Sequence, residues 1–124
     1  MSGIGLDVVD LDRFRLLLSR RPAIAERVFT ASERADAARA KDPVPHLAAR
    51  FAAKEAVMKA LEVGIGAFAF REVEVHRAKS GAPGISLSGR AAVLARDKGA
   101  DVWHLSMTHS DLVAAASVVA VSAP

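Results

Sequence analysis

The stretch RFAAKEAVMKAL, residues 50–61, has the pattern of a helix that carries two charged side chains on or beside its apolar face. Successive residues of a helix lie about 100° apart around its axis, so one narrow apolar stripe can be traced. The stripe consists of Leu47, Phe51, Met58 and Leu61. Lys54 falls inside the stripe and Glu55 falls on its border. The placement of these two charges is the feature of the sequence that most needs an explanation.

Two explanations of these charges remain open from the helix alone. In the first, Lys54 lays its aliphatic stem along the stripe, and Glu55 pairs with Lys59 one turn later for about 0.2–0.5 kcal/mol. In the second, small neighbouring residues leave a pocket where Glu55 helps to bind a hard cation while the lysines face phosphate oxygens. The second explanation requires another carboxylate, and Asp7, in the first predicted strand, is the natural candidate.

The composition limits the class of protein. A chain of 124 residues, 52% hydrophobic and 25% charged, fits one domain spanning residues 1–124. The absence of cysteine excludes disulfides and thiolate chemistry and favours a reducing compartment, so we expect a cytoplasmic location. We find neither a signal peptide nor an apolar run of membrane-spanning length, and we expect no membrane partner.

The charge balance favours anionic partners. The formal net charge is +3 and the sequence pI is about 9.8. Nucleic acid, phosphorylated cofactors and acidic proteins all remain possible on charge alone. However, the chain has one Trp and no Tyr, so it lacks the interleaved aromatic residues of a single-strand-binding platform. We therefore expect no nucleic-acid partner.

The first half of the chain has one strand pattern followed by helix patterns. GIGLDVV, residues 3–9, alternates as a strand that places Asp7 on its less apolar face. A first helix is predicted from a cap at Asp10 to Pro22, and a second over TASERADAARA, residues 30–40, with Thr30 or Ser32 as its cap. The third helix is predicted from about residue 46 to residue 62, with Gly64 as its left-handed cap.

The second half of the chain is richer in strand patterns. REVEVHRA and ISLS, residues 71–78 and 85–88, form a predicted hairpin around the turn SGAPG. A fourth helix ends at Gly99, and two strand-like runs, residues 101–109 and 112–121, are joined at Ser110 and Asp111. The sequence thus predicts an α+β domain with a mainly antiparallel sheet packed against the long third helix.

Taken together, two motifs are similar to those of one protein family. GIGLDVVDLDRF, residues 3–14, and RFAAKEAVMKAL with the following GIG resemble the Gly-x-Asp strand end and the Phe-x-x-Lys-Glu-Ala-x-x-Lys helix of the phosphopantetheinyl transferase superfamily. RVFTASE and the terminal HLSMTHSDLVAAASVVAV also resemble that family, so the likeness covers most of the chain. The short length is similar to the holo-acyl-carrier-protein synthase branch, whose members are homotrimers with active sites between subunits.

The resemblance implies transfer of 4′-phosphopantetheine from coenzyme A to a serine of an apo acyl carrier protein. The products would be the holo carrier and adenosine 3′,5′-bisphosphate, in support of fatty acid biosynthesis. By the same resemblance Asp7 and Glu55 are metal ligands for Mg²⁺, and together with Lys59, which contacts phosphate, they form the catalytic set. Lys54 either contacts phosphate as well or supports the helix.

The resemblance also implies further contacts to coenzyme A. His109, in SMTHSD, matches a Ser/Thr-His motif that touches the nucleotide, although a hydrogen-bonded turn residue explains it equally. Gly64 and Gly66 either allow close approach of the nucleotide or simply form a helix cap and a turn. Many family members carry Gly-Lys-Pro where this chain has Ala82 as the middle residue, so Lys79 is the candidate replacement for the missing lysine.

The first helix is the candidate surface for the carrier protein. One side of it, with the adjoining arginine, has a basic face with an apolar centre: Arg13, Leu17, Arg20 and Arg21. The resemblance implies an acidic, helical acyl carrier protein as the partner. Three alternatives stay open: the same chemistry on a polyketide or peptide synthase carrier, a small basic nucleic-acid-binding protein that uses these arginines, and a non-catalytic trimeric binding module.

Overall fold

The computed structural model describes residues 1–124 and contains five α-helices, five β-strands and one short 3₁₀ turn at Phe70–Glu72. The strands are β1 Gly3–Asp10, β2 Val73–Arg77, β3 Pro83–Leu87, β4 Val102–His109 and β5 Val113–Val121. The helices are α1 Leu11–Arg20, α2 Ala23–Val28, α3 Ala31–Ala38, α4 Val44–Ala60 and α5 Gly89–Lys98. The strands form a three-stranded sheet in the order β1-β5-β4 and a two-stranded β2-β3 hairpin, and both sheets are antiparallel. The α+β class with antiparallel sheets is confirmed.

Three of the predicted helix ends are present. Asp10 caps α1 by accepting a hydrogen bond of 2.9 Å from the amide of Arg13. Thr30, rather than Ser32, caps α3, and α5 ends at Gly99 with a left-handed φ of 75°. In each case the residue type found at the end satisfies backbone groups that the helix itself leaves unpaired.

Two features of the helices differ from the prediction. The sequence pattern does not predict α2, because Pro22 marks the end of the first helix in that pattern. In the structure the fixed φ of Pro22, −58°, also suits the start of α2. The prediction that Gly64 is the left-handed cap of α4 is wrong, because Glu62 takes that conformation with φ of 59°. The amide of Val63 then donates to the carbonyl of Met58 at 3.0 Å and closes the helix end.

The strand β1 lies directly against α4. A Cβ atom built on Gly5 would lie 1.8 Å from the carbonyl oxygen of Ala56, and one built on Gly3 would lie 2.5 Å from that of Ala60. The two backbones can therefore approach only because both strand positions are glycine and the facing helix positions are alanine. Asp7 follows Gly5 on the same face of the strand and so also points toward α4.

The two faces of β1 have different surroundings. Ile4, Leu6 and Val8 are 63, 60 and 57% exposed, whereas Gly5 is buried and Asp7 is partly buried. The face predicted to be less apolar is thus the one that packs on the helix, and the apolar face is uncovered in the single chain. β1 is an edge strand and pairs only with β5. Ile4 and Val8 lie opposite Val119 and Ala115 of β5, so the apolar face continues onto the outer side of β5.

The hydrophobic core lies on both sides of the middle of α4. Toward its N-terminus the rings of Phe14, Phe51 and Phe70 form a row, with centroids 5.5 Å apart at each step. Toward its C-terminus Val57 and its neighbours pack against α5 and the strands. No helix is both long and apolar enough to cross a membrane.

The close contact of β1 with α4 yields a test of the fold. Gly5→Ala should lower the free energy of unfolding by about 1–3 kcal/mol, because the added methyl group must push the strand away from the helix carbonyl. Gly64→Ala is the matched control, since a Cβ there meets no atom within 4 Å and its φ is not positive. Urea denaturation followed by circular dichroism measures both variants. Equal stability of the two variants would contradict the close packing described here.

Candidate active site

Two carboxylates from distant parts of the chain line one cavity. Asp7 comes from the inner face of β1 and Glu55 from the middle of α4, 48 positions later. The cavity has a volume of about 290 Å³, and its wall includes the apolar side chains of Phe14 and Phe51. The structure thus brings together the two residues proposed as metal ligands, and the β1–α4 contact is what positions them.

Lys59 lies next to this pair and contacts only its strand member. Its ammonium group donates to Asp7 Oδ1 at 3.0 Å and to the backbone oxygen of Leu6 at 2.9 Å. The explanation in which Lys59 pairs with Glu55 along the helix is not the arrangement found. The side chain of Lys59 is 56% exposed, whereas that of Asp7 is only 11% exposed. The ammonium group is therefore in reach of solvent while it neutralises a mostly covered carboxylate.

The environment of Glu55 disfavours its negative charge. Burial raises the pKa of Glu55 above its ordinary value of 4.5, and the charge on Asp7 raises it further. The positive charge of Lys59 acts in the opposite direction, and a hydrogen bond with Asp7 adds a smaller upward effect. Two carboxylates that repel each other in a partly desolvated cavity would be stabilised by a shared cation.

The donor set fits a hard divalent ion such as Mg²⁺. Carboxylate oxygens are its preferred protein ligands, and Mg²⁺ usually takes only one or two of them and keeps several waters or substrate oxygens. No group of three or more His, Cys, Asp and Glu side chains in the chain is placed to hold a metal. An ion held by Asp7 and Glu55 would therefore need oxygens from water and from a phosphorylated substrate.

Lys54 is not part of the exposed site. Its side chain is fully buried, and its ammonium group donates to Glu33 Oε1 at 2.8 Å, to the carbonyl of Phe70 at 3.1 Å and to the carbonyl of Val73. Burial lowers the pKa of Lys54, while the charge of Glu33 opposes this effect. Because all three of its N–H groups are used inside the protein, the structure contradicts a phosphate contact for Lys54. The alternative, support of the helix, is the one that agrees with the structure.

Glu33 is the residue of this network that the sequence reasoning missed. Its Oε1 also accepts a hydrogen bond from the amide of Thr30, and its Oε2 accepts one from the amide of Val75, each at 2.9 Å. With Lys54 it therefore ties α3, α4 and β2 together in the interior. The available signal was the Thr-x-x-Glu spacing of a capping box in TASE, which marks Glu33 as a hydrogen-bonded residue.

Glu55 also lines a second, smaller cavity. It has a volume of about 160 Å³ and is lined by Glu55, Lys59 and Gly64 together with Met58, Val63 and Ile65. The glycine at position 66 follows in the same exposed segment, with φ of 101°. Glu55 therefore separates two cavities, one reaching toward α1 and one toward the segment after α4. Lys79 lies in the exposed turn between β2 and β3, outside both cavities.

His109 lies at a different place on the chain. Its ring is 5.3 Å from the ring of His46, which precedes Glu55 by about 13 Å along the axis of α4. Burial lowers the pKa of His46, and the nearby positive groups of His109, Arg50 and Arg77 lower it further. This corner is electropositive and suits an anion, but the structure does not bring His109 to the carboxylate pair within one chain.

The predicted carrier surface adjoins the carboxylate cavity. Arg13 and Leu17 line that cavity and also line a larger neighbouring depression of about 430 Å³. The remaining residues of the depression are Leu16, Arg20 and Arg21. The basic face of α1 and the two carboxylates are therefore parts of one continuous surface.

Comparison with known proteins decides the family. Residues 3–117 match the family model of the "4'-phosphopantetheinyl transferase superfamily". The chain belongs to this superfamily. It is 47% identical over 118 residues to the holo-[acyl-carrier-protein] synthase of Frankia casuarinae, and the match covers 95% of each chain. The recognition of a short phosphopantetheinyl transferase of the holo-[acyl-carrier-protein] synthase type, and with it the prediction of an enzyme, is confirmed.

Solved structures of this superfamily share the fold. The holo-[acyl-carrier-protein] synthase of Neisseria meningitidis superposes with a TM-score of 0.87 at 35% identity, covering 97% of this chain and 98% of that one. The Helicobacter pylori enzyme, solved in complex with coenzyme A, gives 0.82 at 31% identity, covering 94% and 98%. At least 94% of the chain thus follows the fold of these holo-[acyl-carrier-protein] synthases.

The raised pKa of Glu55 predicts a pH-dependent stability difference in the absence of divalent ions. The folded protein keeps the Glu55 proton to a higher pH than the unfolded chain, so wild-type stability falls as pH rises from 4.5 through the folded pKa. Glu55→Gln removes this loss. Thermal unfolding with a chelator should give the variant a higher Tm at pH 7, with the advantage shrinking toward pH 4.5.

An exposed glutamate serves as the control for this measurement. Glu26 lies in the first turn of α2 and is exposed, so Glu26→Gln should change the Tm by a similar small amount at both pH values. A Glu55→Gln variant that is less stable than wild type at pH 7 would show that its charge is favourable in the folded protein, contrary to the pKa argument.

Proposed function

We propose that the chain transfers 4′-phosphopantetheine from coenzyme A to a serine of an apo acyl carrier protein. The products are the holo carrier protein and adenosine 3′,5′-bisphosphate. The observation that carries this proposal is that Asp7 and Glu55 line one cavity, with Lys59 bound to Asp7 beside it, in a member of the superfamily. It is supported by relatives named holo-[acyl-carrier-protein] synthase and by one relative solved with coenzyme A.

The catalytic residues act on a crowded group of phosphate oxygens. The serine oxygen forms a bond to the β-phosphorus while its proton passes to a water molecule or to a carboxylate of the site. The bond between that phosphorus and the oxygen bridging to the α-phosphate breaks, and its electron pair leaves with the nucleotide. Mg²⁺ held by Asp7 and Glu55 would supply positive charge for the diphosphate when it is bound. Lys59, with its exposed ammonium group at the edge of the site, contacts the phosphates and stabilises the charge on the leaving nucleotide.

Coenzyme A enters, in this proposal, on the side of the smaller cavity. Gly64 lines that cavity beside Lys59, and Gly66 follows it, so their backbone leaves room for close approach of the nucleotide. His109 and Lys79 remain proposed nucleotide contacts. Since His109 lies beside His46, which is about 13 Å from Glu55 along the axis of α4, the contact of His109 would come from a neighbouring subunit rather than from the same one.

The acyl carrier protein enters on the opposite side, over α1. The depression lined by Arg13, Leu17, Arg20 and Arg21 has basic edges and an apolar centre, which complements an acidic helix. Because the depression adjoins the carboxylate cavity at Arg13 and Leu17, a carrier docked there has its serine close to the reacting phosphate. Steering by the arginines should increase the association rate more than it changes the lifetime of the complex.

A homotrimer is the proposed assembly. The outer face of β1 exposes Ile4, Leu6 and Val8, and across the strand pair Ile4 lies opposite Val119 of β5. A contiguous apolar sheet face of this kind is typical of a surface covered by another subunit. Each chain of the active enzyme would then consist of one domain, residues 1–124. A role in fatty acid biosynthesis, which the family resemblance implies, is also part of the proposal. A cytoplasmic location, which the absence of cysteine favours, completes it.

Mass spectrometry of an apo acyl carrier protein tests the proposed activity. Incubation with coenzyme A, Mg²⁺ and this chain should add the mass of phosphopantetheine to the carrier. Asp7→Asn and Glu55→Gln should each slow the reaction by at least about 100-fold, because each removes a ligand of the Mg²⁺ ion that would supply positive charge to the transferring group. Asp97→Asn, which neutralises an exposed carboxylate on α5, is the control and should react normally. No mass gain on any of several carriers, including polyketide and peptide synthase carriers, would reject the proposal.

The assembly is tested separately by its oligomeric state. Size-exclusion chromatography with light scattering should give three times the 13.0 kDa chain mass for the wild type. Ile4→Lys places a charge on the exposed apolar face and should shift the protein to a smaller species. Val93→Lys, which places the same charge on an exposed apolar position of α5, is the control and should leave the mass unchanged. A monomeric wild type at micromolar concentration would contradict the trimer.

A further inference from the structure

Lys59 spans the gap between the two elements that carry the carboxylates. It starts from α4, and its ammonium group binds two oxygens of β1, Asp7 Oδ1 at 3.0 Å and the carbonyl of Leu6 at 2.9 Å. Two of its three N–H groups are therefore used by the strand. The proposed function assigns to Asp7 a divalent cation and to Lys59 a phosphate. In the structure Lys59 and Asp7 instead form an ion pair with each other.

These two arrangements of Lys59 exclude each other. A divalent ion bound to the same carboxylate would lie a few ångströms from the ammonium group, and like charges at that distance repel strongly in a partly desolvated site. This repulsion favours departure of the ammonium group from Asp7 when a metal ion binds there. Conversely, while Lys59 holds Asp7, it already supplies part of the positive charge that the ion would bring.

The side chain of Lys59 is less constrained by its surroundings than that of Lys54. Lys59 is 56% exposed and reaches an edge strand, whereas Lys54 is fully buried and donates to three fixed oxygens. A long, solvated lysine side chain can exchange one oxygen partner for another at small cost. The diphosphate of coenzyme A, arriving beside Lys59 in the smaller cavity, offers such partners with greater negative charge than one carboxylate.

We propose that Lys59 is an internal counterion that couples the binding of the divalent cation to the binding of coenzyme A. In the free enzyme it occupies Asp7 and weakens metal binding; when the diphosphate draws it away, both carboxylates become available to the ion. By reciprocity, the bound ion releases Lys59 for the phosphates and so tightens coenzyme A binding. This inference rests on the proposed function, because it takes Asp7 and Glu55 as the ligands.

The test measures metal binding to the full chain without any reaction. Mn²⁺ is the probe, and its free concentration is followed by electron paramagnetic resonance with no carrier protein present. Without coenzyme A, Lys59→Met should bind Mn²⁺ at least about 5-fold more tightly than wild type, the lower end of typical coupling between sites. Lys59→Arg keeps the charge and should return the affinity close to that of wild type.

Matched controls separate this effect from a general change in charge. Lys98→Met removes another partly exposed lysine, one that pairs with Glu62 at 3.1 Å, and should leave the Mn²⁺ affinity unchanged. Circular dichroism checks that every variant is folded. Equal or weaker binding of Mn²⁺ by Lys59→Met than by wild type overturns the inference.

The same measurements distinguish failure of the coupling from failure of the proposed site. If wild type with coenzyme A binds Mn²⁺ and Asp7→Asn abolishes this binding, the site stands, and an unchanged free-enzyme affinity in Lys59→Met rejects only the coupling. If no protein binds Mn²⁺ with or without coenzyme A, both the metal site and the coupling are rejected. Tighter binding in free Lys59→Met, a smaller gain in Mn²⁺ affinity on adding coenzyme A than in wild type, and loss of binding in Asp7→Asn together support both.

Discussion

The contact between the backbone of β1 and the backbone of α4 is the constraint on which the candidate site depends. It exists because Gly3 and Gly5 have no side chain where the strand meets the carbonyls of Ala60 and Ala56. A larger residue at either position would separate the two elements and with them Asp7 and Glu55. The alanine-rich character of α4 thus serves close packing against a strand, and the distance between two carboxylates follows from it.

Two lysines on one helix illustrate how burial divides structural from chemical roles. Lys54 is fixed by Glu33 and two carbonyls, and removing one partner from such a buried pair generally costs about 3–5 kcal/mol because the other charge is left without compensation. Lys59 is exposed and holds a carboxylate that also faces the cavity. Lys54 therefore fixes the orientation of α4 about its axis. Lys59 is available to interact with a ligand.

The sequence predicts the larger part of the fold because its elements follow from local patterns, and it predicts the carboxylate pair through the resemblance of two motifs to one family. Alternation in residues 3–9, the cap at Asp10 and the motif around Glu55 are all visible without coordinates. The burial of Lys54 was not, because its partner Glu33 lies 21 positions away, and only tertiary packing shows that they meet. The left-handed Glu62 was also missed, since glycine is the usual residue at that conformation.

The alternation of β1 ties its two surfaces to a single backbone register. Asp7 faces the cavity, while Leu6 and Val8, on either side of it, face outward. A strand that slipped by one residue against β5 would turn every side chain to the opposite face. It would press Leu6 and Ile4 onto the carbonyls of α4 and move the carboxylate to the outer sheet. Deletion of Leu6, the one residue between Gly5 and Asp7, would thus damage the packing, the outer surface and the acidic cavity together. The composition of the strand would hardly change.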